Sequence, residues 1–96
     1  MPAITGCTIA QIEPNPNYRI EVITTPATAD SNDTLDVSSA AATGGNTFKT
    51  IYGIIGAFDT SQDYDAVTAT WSTTTITIDA AGGKTNTVYK IIVMGV

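Results

Sequence analysis

The densest run of hard oxygen donors in the sequence is Asp59-Thr60-Ser61-Gln62-Asp63-Tyr64-Asp65, which sets potential ligands at alternate positions. Calcium takes about six to eight such oxygens, so the spacing resembles part of a calcium loop. The EF-hand pattern fails at two places. Its sixth position is Tyr64, where glycine makes the turn, and its twelfth is Thr70, where a glutamate should bind through both oxygens. A solvated acidic loop is the expected reading. Zinc and softer metals lack ligands, because the chain has no histidine and one cysteine, Cys7. The same lack removes Ser-His-Asp and Cys-His nucleophiles. Ser38, Ser39 and Ser61 coexist with lysines, but nothing in their spacing fixes a Ser-Lys pair. Two carboxylates could cleave a glycoside only inside a walled cleft, for which so small a chain has little volume. The expectation is a protein that is not an enzyme and carries no cofactor.

Charge narrows the partners. Four basic residues face nine acidic ones, for a net charge of −5. Nucleic acid and anionic membrane surfaces are bound through Lys and Arg, so neither is an expected partner. One thiol makes no internal disulfide, and Cys7 is expected as a small buried hydrophobe. An exposed inert thiol and a crosslink between subunits are the alternatives. No 18-residue apolar run exists for a membrane span. The first residues have neither the basic nor the apolar region of a signal peptide, so synthesis in the cytosol is expected. The sequon Asn32-Asp33-Thr34 is then read as chance. Among the aromatics, Tyr64 lies in a loop and is the best candidate for exposure, whereas Trp71 shares a parity with Val67 and Ala69 and is expected in the core.

The elements that position these groups read as strands. Threonine fills about one position in five of the 96 residues, and 43% are apolar. Threonine is β-branched and favours a pleated, half-wet surface. Alternation marks strands near 4–12, 18–24, 34–38, 67–71 and 87–94 and one through Ile76 and Ile78, with turn residues between them. In 18–24, Tyr18, Ile20 and Val22 alternate with Arg19, Glu21 and Ile23. In 34–38, Leu35 and Val37 are expected inward. Trp71 and Ile76 are expected opposite each other across a hairpin turning at Ser72-Thr73-Thr74. Residues 47–58 read as a long, bent central strand in which Gly53 and Gly56 mark a bulge or close crossing. Three alanines at 40–42 propose a helical turn, but Gly44-Gly45 favours a loop. The sum is one all-β domain over 1–96, an antiparallel β-sandwich or small barrel of about seven strands, jelly-roll or Ig-like. Residues 1–17 form a candidate N-terminal arm.

Apolar supply exceeds what one small core needs. The segment 48–58 and the last strand, apolar on both parities, are expected to build the core and a subunit contact. Phe48, Ile51, Tyr52, Ile54, Tyr89, Ile91 and Val93 are the expected interface residues, with Ile4 and Ile9 from the arm. Threonine-rich strands also lack the Lys and Glu that guard free edges, which again favours an oligomer or a docked protein.

The block Asp36-Val37-Ser38-Ser39, then Gly44-Gly45-Asn46-Thr47-Phe48-Lys49-Thr50-Ile51-Tyr52-Gly53-Ile54-Ile55-Gly56, resembles small structural proteins of tailed bacteriophage particles. It is followed by Thr68-Ala69-Thr70-Trp71 and Thr74 with Ile76-Thr77-Ile78. The nearest likeness is to capsid decoration, or cement, proteins, over roughly residues 34–96, in texture and order and without a diagnostic motif. The resemblance implies a small β domain, often a homotrimer, seated on the outer capsid surface of the virion where subunits of the major capsid protein meet. The implied role is to clamp those subunits against the pressure of packaged DNA. The alternative class is a glycan- or receptor-binding β module of a fibre or tail.

Overall fold

A computed structural model describes residues 3–14, 17–26, 29–30, 33–45, 47–59, 67–79 and 88–96, with 11–14 by backbone alone. Its seven strands are β1 (Thr8–Pro14), β2 (Arg19–Thr24), β3 (Thr34–Asp36), β4 (Ile51–Asp59), β5 (Thr68–Ser72), β6 (Thr75–Asp79) and β7 (Tyr89–Gly95), with a helical turn α1 (Ala40–Thr43) after β3. They form two antiparallel sheets, ordered β1-β2-β7-β4 and β3-β6-β5. This is the sandwich of the sequence reading and not a closed barrel. The sheets are tied at two corners. Ala3 bridges Thr34 in parallel and the Ile4 N–H donates to the Thr34 carbonyl at 2.8 Å, before the chain enters β1 in the other sheet. At the second corner the Val67 N–H donates to the Ala57 carbonyl at 3.0 Å, joining the end of β4 to the start of β5.

The core follows from alternation. Tyr89, Ile91 and Val93 on β7 face Leu35, Ile76 and Ile78 on β3 and β6, and all six are buried. Because residues two apart share a face, one parity of each strand builds this layer. Leu35 and Val37 point inward as expected, and both are fully buried. Ile23 joins this layer beside Ile91, and Phe48 and Ile51 extend the core toward the Gly95 end. Trp71 and Ile76 are register partners, as the hairpin reading requires.

Three expectations need correction. First, β4 is an edge strand of its sheet, with β7 its one ladder partner among the described strands. The predicted bulging is present, with register shifts between Ile51 and Gly53 and between Ile54 and Gly56. Tyr52 and Ile55 are the extra, unpaired residues. A strand twice interrupted suits an edge, because each bulge breaks the ladder a second neighbour would need.

Second, residues 40–43 are helical. The Ser39 hydroxyl accepts from the Ala42 N–H at 3.4 Å, and Gly44, at φ 65, stops the turn in the left-handed conformation. A serine before the alanines and a glycine after them are the two caps such a turn needs.

Third, Trp71 has the predicted parity but is 42% exposed, because β5 lies at the margin of its sheet. The N-terminal stretch, over residues 3–14, lies against the body of the fold. Gly6 and Cys7 donate to the carbonyls of Ala41 and Ala42, each at 3.0 Å, and Ile4 and Cys7 are buried.

Candidate interaction surface

β2 presents its faces opposite to the usual sense. Its polar parity turns inward: Glu21 is only 3% exposed and shares its side of the sheet with the fully buried Ile23. Two neighbours make this tolerable. Arg19 sets Nε 3.0 Å from the Glu21 carboxylate, and its guanidinium lies 4.0 Å from the centroid of the Phe48 ring. A guanidinium nitrogen of Arg19 also donates to the Thr47 carbonyl. Burial pushes the Glu21 carboxyl up, and the Arg19 charge pulls it part of the way back. An ion pair stacked on an aromatic face is a way for charge to lie inside a small core.

The consequence is on the other side of the sheet, where the apolar parity of β2 meets that of β7. Ala10, Val22, Ile92 and Gly56 form one row across all four strands. Glu13, Ile20, Met94 and Gly53 form the next, while Thr8, Thr24, Lys90 and Phe58 form a third. In that third row the Lys90 ammonium donates to the Thr24 hydroxyl at 3.0 Å, and it is the one charged group among the described side chains of these rows. The second sheet packs on the Ile91 side, so no second layer of described residues covers the Ile92 side. A Cβ on Gly53 or Gly56 would meet nothing within 4 Å, so the two glycines leave a shallow hollow beside Ile92 and Met94. Tyr52 and Ile55 rim it, 51% and 58% exposed. The outer face of the three-stranded sheet is the opposite in character. Its rows are Thr34, Thr77 and Thr70, then Asp36, Thr75 and Ser72, then Asp79 and Thr68.

The expected interface residues divide accordingly. Phe48, Ile51, Tyr89, Ile91, Val93 and Ile4 are buried within the single chain, and Ile54 and Ile9 pack against that core half-buried. These residues hold the fold of the single chain together. Tyr52 alone of the set is exposed. The apolar side chains that do face outward are Ile20, Val22, Ile92 and Met94, which the sequence reading left out. The double apolar parity of the last strand was their signal. On β2 the signal was weaker: Arg19 and Glu21 stand two apart on one face, where they can neutralise each other.

The groups weighed for chemistry are occupied with local structure. The Ser38 hydroxyl donates to Asp36 at 2.7 Å, and Ser39 caps α1. Bonds from the side chain and backbone of Ser38, with a further one from Thr74, hold Asp36 below the usual carboxylate range. Burial pushes the Cys7 thiol up to about 11, as fits a thiol buried as a hydrophobe. Asp59 ends β4 fully buried, and the remainder of the acidic loop, 60–65 with Tyr64, lies outside the described residues. Among the described residues no three His, Cys, Asp or Glu cluster as metal ligands, and no helix is long and apolar enough to cross a membrane. Comparison with protein-family models, curated proteins and solved structures finds no match.

Proposed function

We infer that this chain is a non-enzymatic structural protein of a phage particle, which decorates and stabilises the capsid by docking on junctions between capsid-protein subunits. The observation that carries the reading is the contrast between its two outer faces. One is threonine, serine and aspartate. The other carries the half-buried apolar side chains Ile20, Val22, Ile92 and Met94 beside a glycine hollow, with Lys90 the one charge among its described side chains. A contiguous apolar face on a small domain has the makeup of a protein-binding surface. The rest of the molecule is acidic, which suits a position on the outside of a particle where solubility matters and nucleic acid is not touched. Synthesis in the host cytoplasm and assembly onto the outer capsid surface follow from the same reading. Many copies on one shell would convert a weak contact into a durable one.

The test is co-sedimentation with empty capsids of the phage that encodes the chain, followed by image reconstruction. Stoichiometric density at subunit junctions and a raised capsid melting temperature are expected. Capsids that pellet without it, and melt unchanged in its presence, would refute the role.

The exposure of Trp71 favours a second reading, a glycan- or receptor-binding module of a fibre or tail, since an indole half in solvent can stack on a sugar face. That reading requires Trp71 fluorescence to shift on adding sugars. The capsid reading requires that sugars leave it unchanged, since docking there uses the outer face of the other sheet.

A further inference from the structure

The free margin of β5 has a hydrogen-bonding pattern that defines what fits it. On β6 the Ile78 N–H donates toward β3, to the Asp33 carbonyl at 3.3 Å. Bonding direction alternates along a strand, so Thr75, Thr77 and Asp79 bond toward β5. Their register partners Ser72, Thr70 and Thr68 bond back. Val67, Ala69 and Trp71 therefore turn their backbone groups away from β6. Val67 obeys this, since its N–H goes to the Ala57 carbonyl on β4. Among the described residues, no backbone bond continues that pairing at Ala69 or Trp71. The strand that carries them, Thr68–Ser72, has no Lys, Glu or Pro and no register shift. The usual guards of an edge are lacking.

We propose that β5 pairs edge to edge with β5 of a second copy of this chain, antiparallel about a two-fold axis at Thr70. The window is bounded on both sides. The Val67–Ala57 bond closes it at one end, and the Thr73-Thr74 turn closes it at the other. Only the register centred on Thr70 pairs all 5 residues of the strand. In that register Ala69 of each copy faces Trp71 of the other, and each pair exchanges both N–H···O=C bonds. The exposed indole then lies over a methyl group, large beside small, on the side that continues the core layer. Charge supports a second copy as the occupant. The chain carries −5, yet this strand carries none of it, so two acidic molecules meet here without opposing carboxylates. A two-fold contact closes at a dimer, so it does not build the trimer implied by the phage resemblance. It leaves the apolar face of the other sheet free, so its failure and the failure of capsid docking are separate results.

Five paired residues form a small interface, so the dimer is concentration-dependent. Sedimentation equilibrium of the full-length protein from about 1 µM to 1 mM should show its mass rising from one chain to two. Ala69→Pro deletes an outward N–H and leaves the β5–β6 bonds intact, a position where an edge strand accepts proline. It should remain a monomer throughout with an unchanged circular dichroism spectrum. Trp71→Arg, at an exposed position, should also remain a monomer and decides the matter if the proline variant misfolds. Amide exchange at Ala69 and Trp71 should slow at high concentration, while Thr68 and Thr70 stay constant. A wild-type protein that is a monomer at every concentration would overturn the proposal. So would a folded Ala69→Pro or Trp71→Arg variant that dimerises as well as wild type.

Discussion

The guanidinium of Arg19 lies 4.0 Å from the centroid of the Phe48 ring while its Nε stands 3.0 Å from Glu21. One side chain thus covers the end of the core and neutralises a carboxylate that is 3% exposed. Arg19→Leu keeps much of the packing and abandons the charge. At neutral pH it should cost about 3 kcal/mol, the penalty of an unpaired buried ion. The loss should shrink in acid. Burial already raises the Glu21 carboxyl, and without Arg19 it rises further. The folded state then holds a proton that the unfolded chain has released, so stability falls as pH rises through that window and returns as pH drops below it. Urea unfolding across a pH series reads this directly. Asp36 acts in the opposite sense. Its lowered carboxyl supplies stability above the usual carboxylate range, and this is lost as pH falls through the folded value.

Gly95→Ala should be among the most damaging single-methyl changes. A Cβ there would overlap the Thr50 carbonyl oxygen and stand 3.0 Å from the Phe48 ring. Backbone, unlike a flexible side chain, cannot swing aside. A loss of about 3 kcal/mol in chemical denaturation is expected, against near neutrality for alanine at the open Gly53.

Thr73 holds φ 59 in the β5–β6 turn, a conformation that costs a β-branched residue energy. Thr73→Gly should raise stability by about 0.5–1 kcal/mol, the relief of strain less the added freedom of the unfolded chain. Thermal melts compare the two proteins.

Ile91 and Ile92 are adjacent on β7 and face opposite ways, the first fully buried and the second half-buried on the outer side of the sheet. Ile91→Thr should cost about 2–3 kcal/mol through a buried, unpaired hydroxyl and lost packing. Ile92→Thr should cost less than about 1 kcal/mol and weaken capsid co-sedimentation. The pair separates folding from docking within one dipeptide.

Cys7 is buried, with its thiol pushed up to about 11. Ellman's reagent at pH 8 should label the native protein slowly and the urea-unfolded protein at once. Rapid native labelling would mean that the strap formed by residues 3–7 opens readily.

Much of this was legible in the sequence wherever residues two apart agreed in character. β3, β6 and β7 show their inward parity through Leu35, Ile76, Ile78, Ile91 and Val93, and the bulges of β4 announce themselves as Gly53 and Gly56. What could not be read was which side of β2 faces the core. Alternation fixes two faces and leaves their assignment to the neighbours. Here Phe48, distant in sequence, reverses it by accepting Arg19. Strand order was hidden for the same reason. Nothing local to 51–59 says that β7 lies on one flank only. The contact was therefore assigned to residues that also fill the core, while Ile20, Val22, Ile92 and Met94 were seen as apolar parities without being placed on one outer face.

With Ile91 beneath it and Ile92 above it, the four-stranded sheet has the makeup of a middle slab, and no upper slab lies among the described residues. Such a slab gains melting temperature by mass action whenever something seats on it, in proportion to the logarithm of the concentration of what seats there. It also sets a ceiling on how much of the protein stays dispersed when made alone. On the capsid-docking proposal, soluble yield should therefore climb when the chain is co-expressed with the capsid protein.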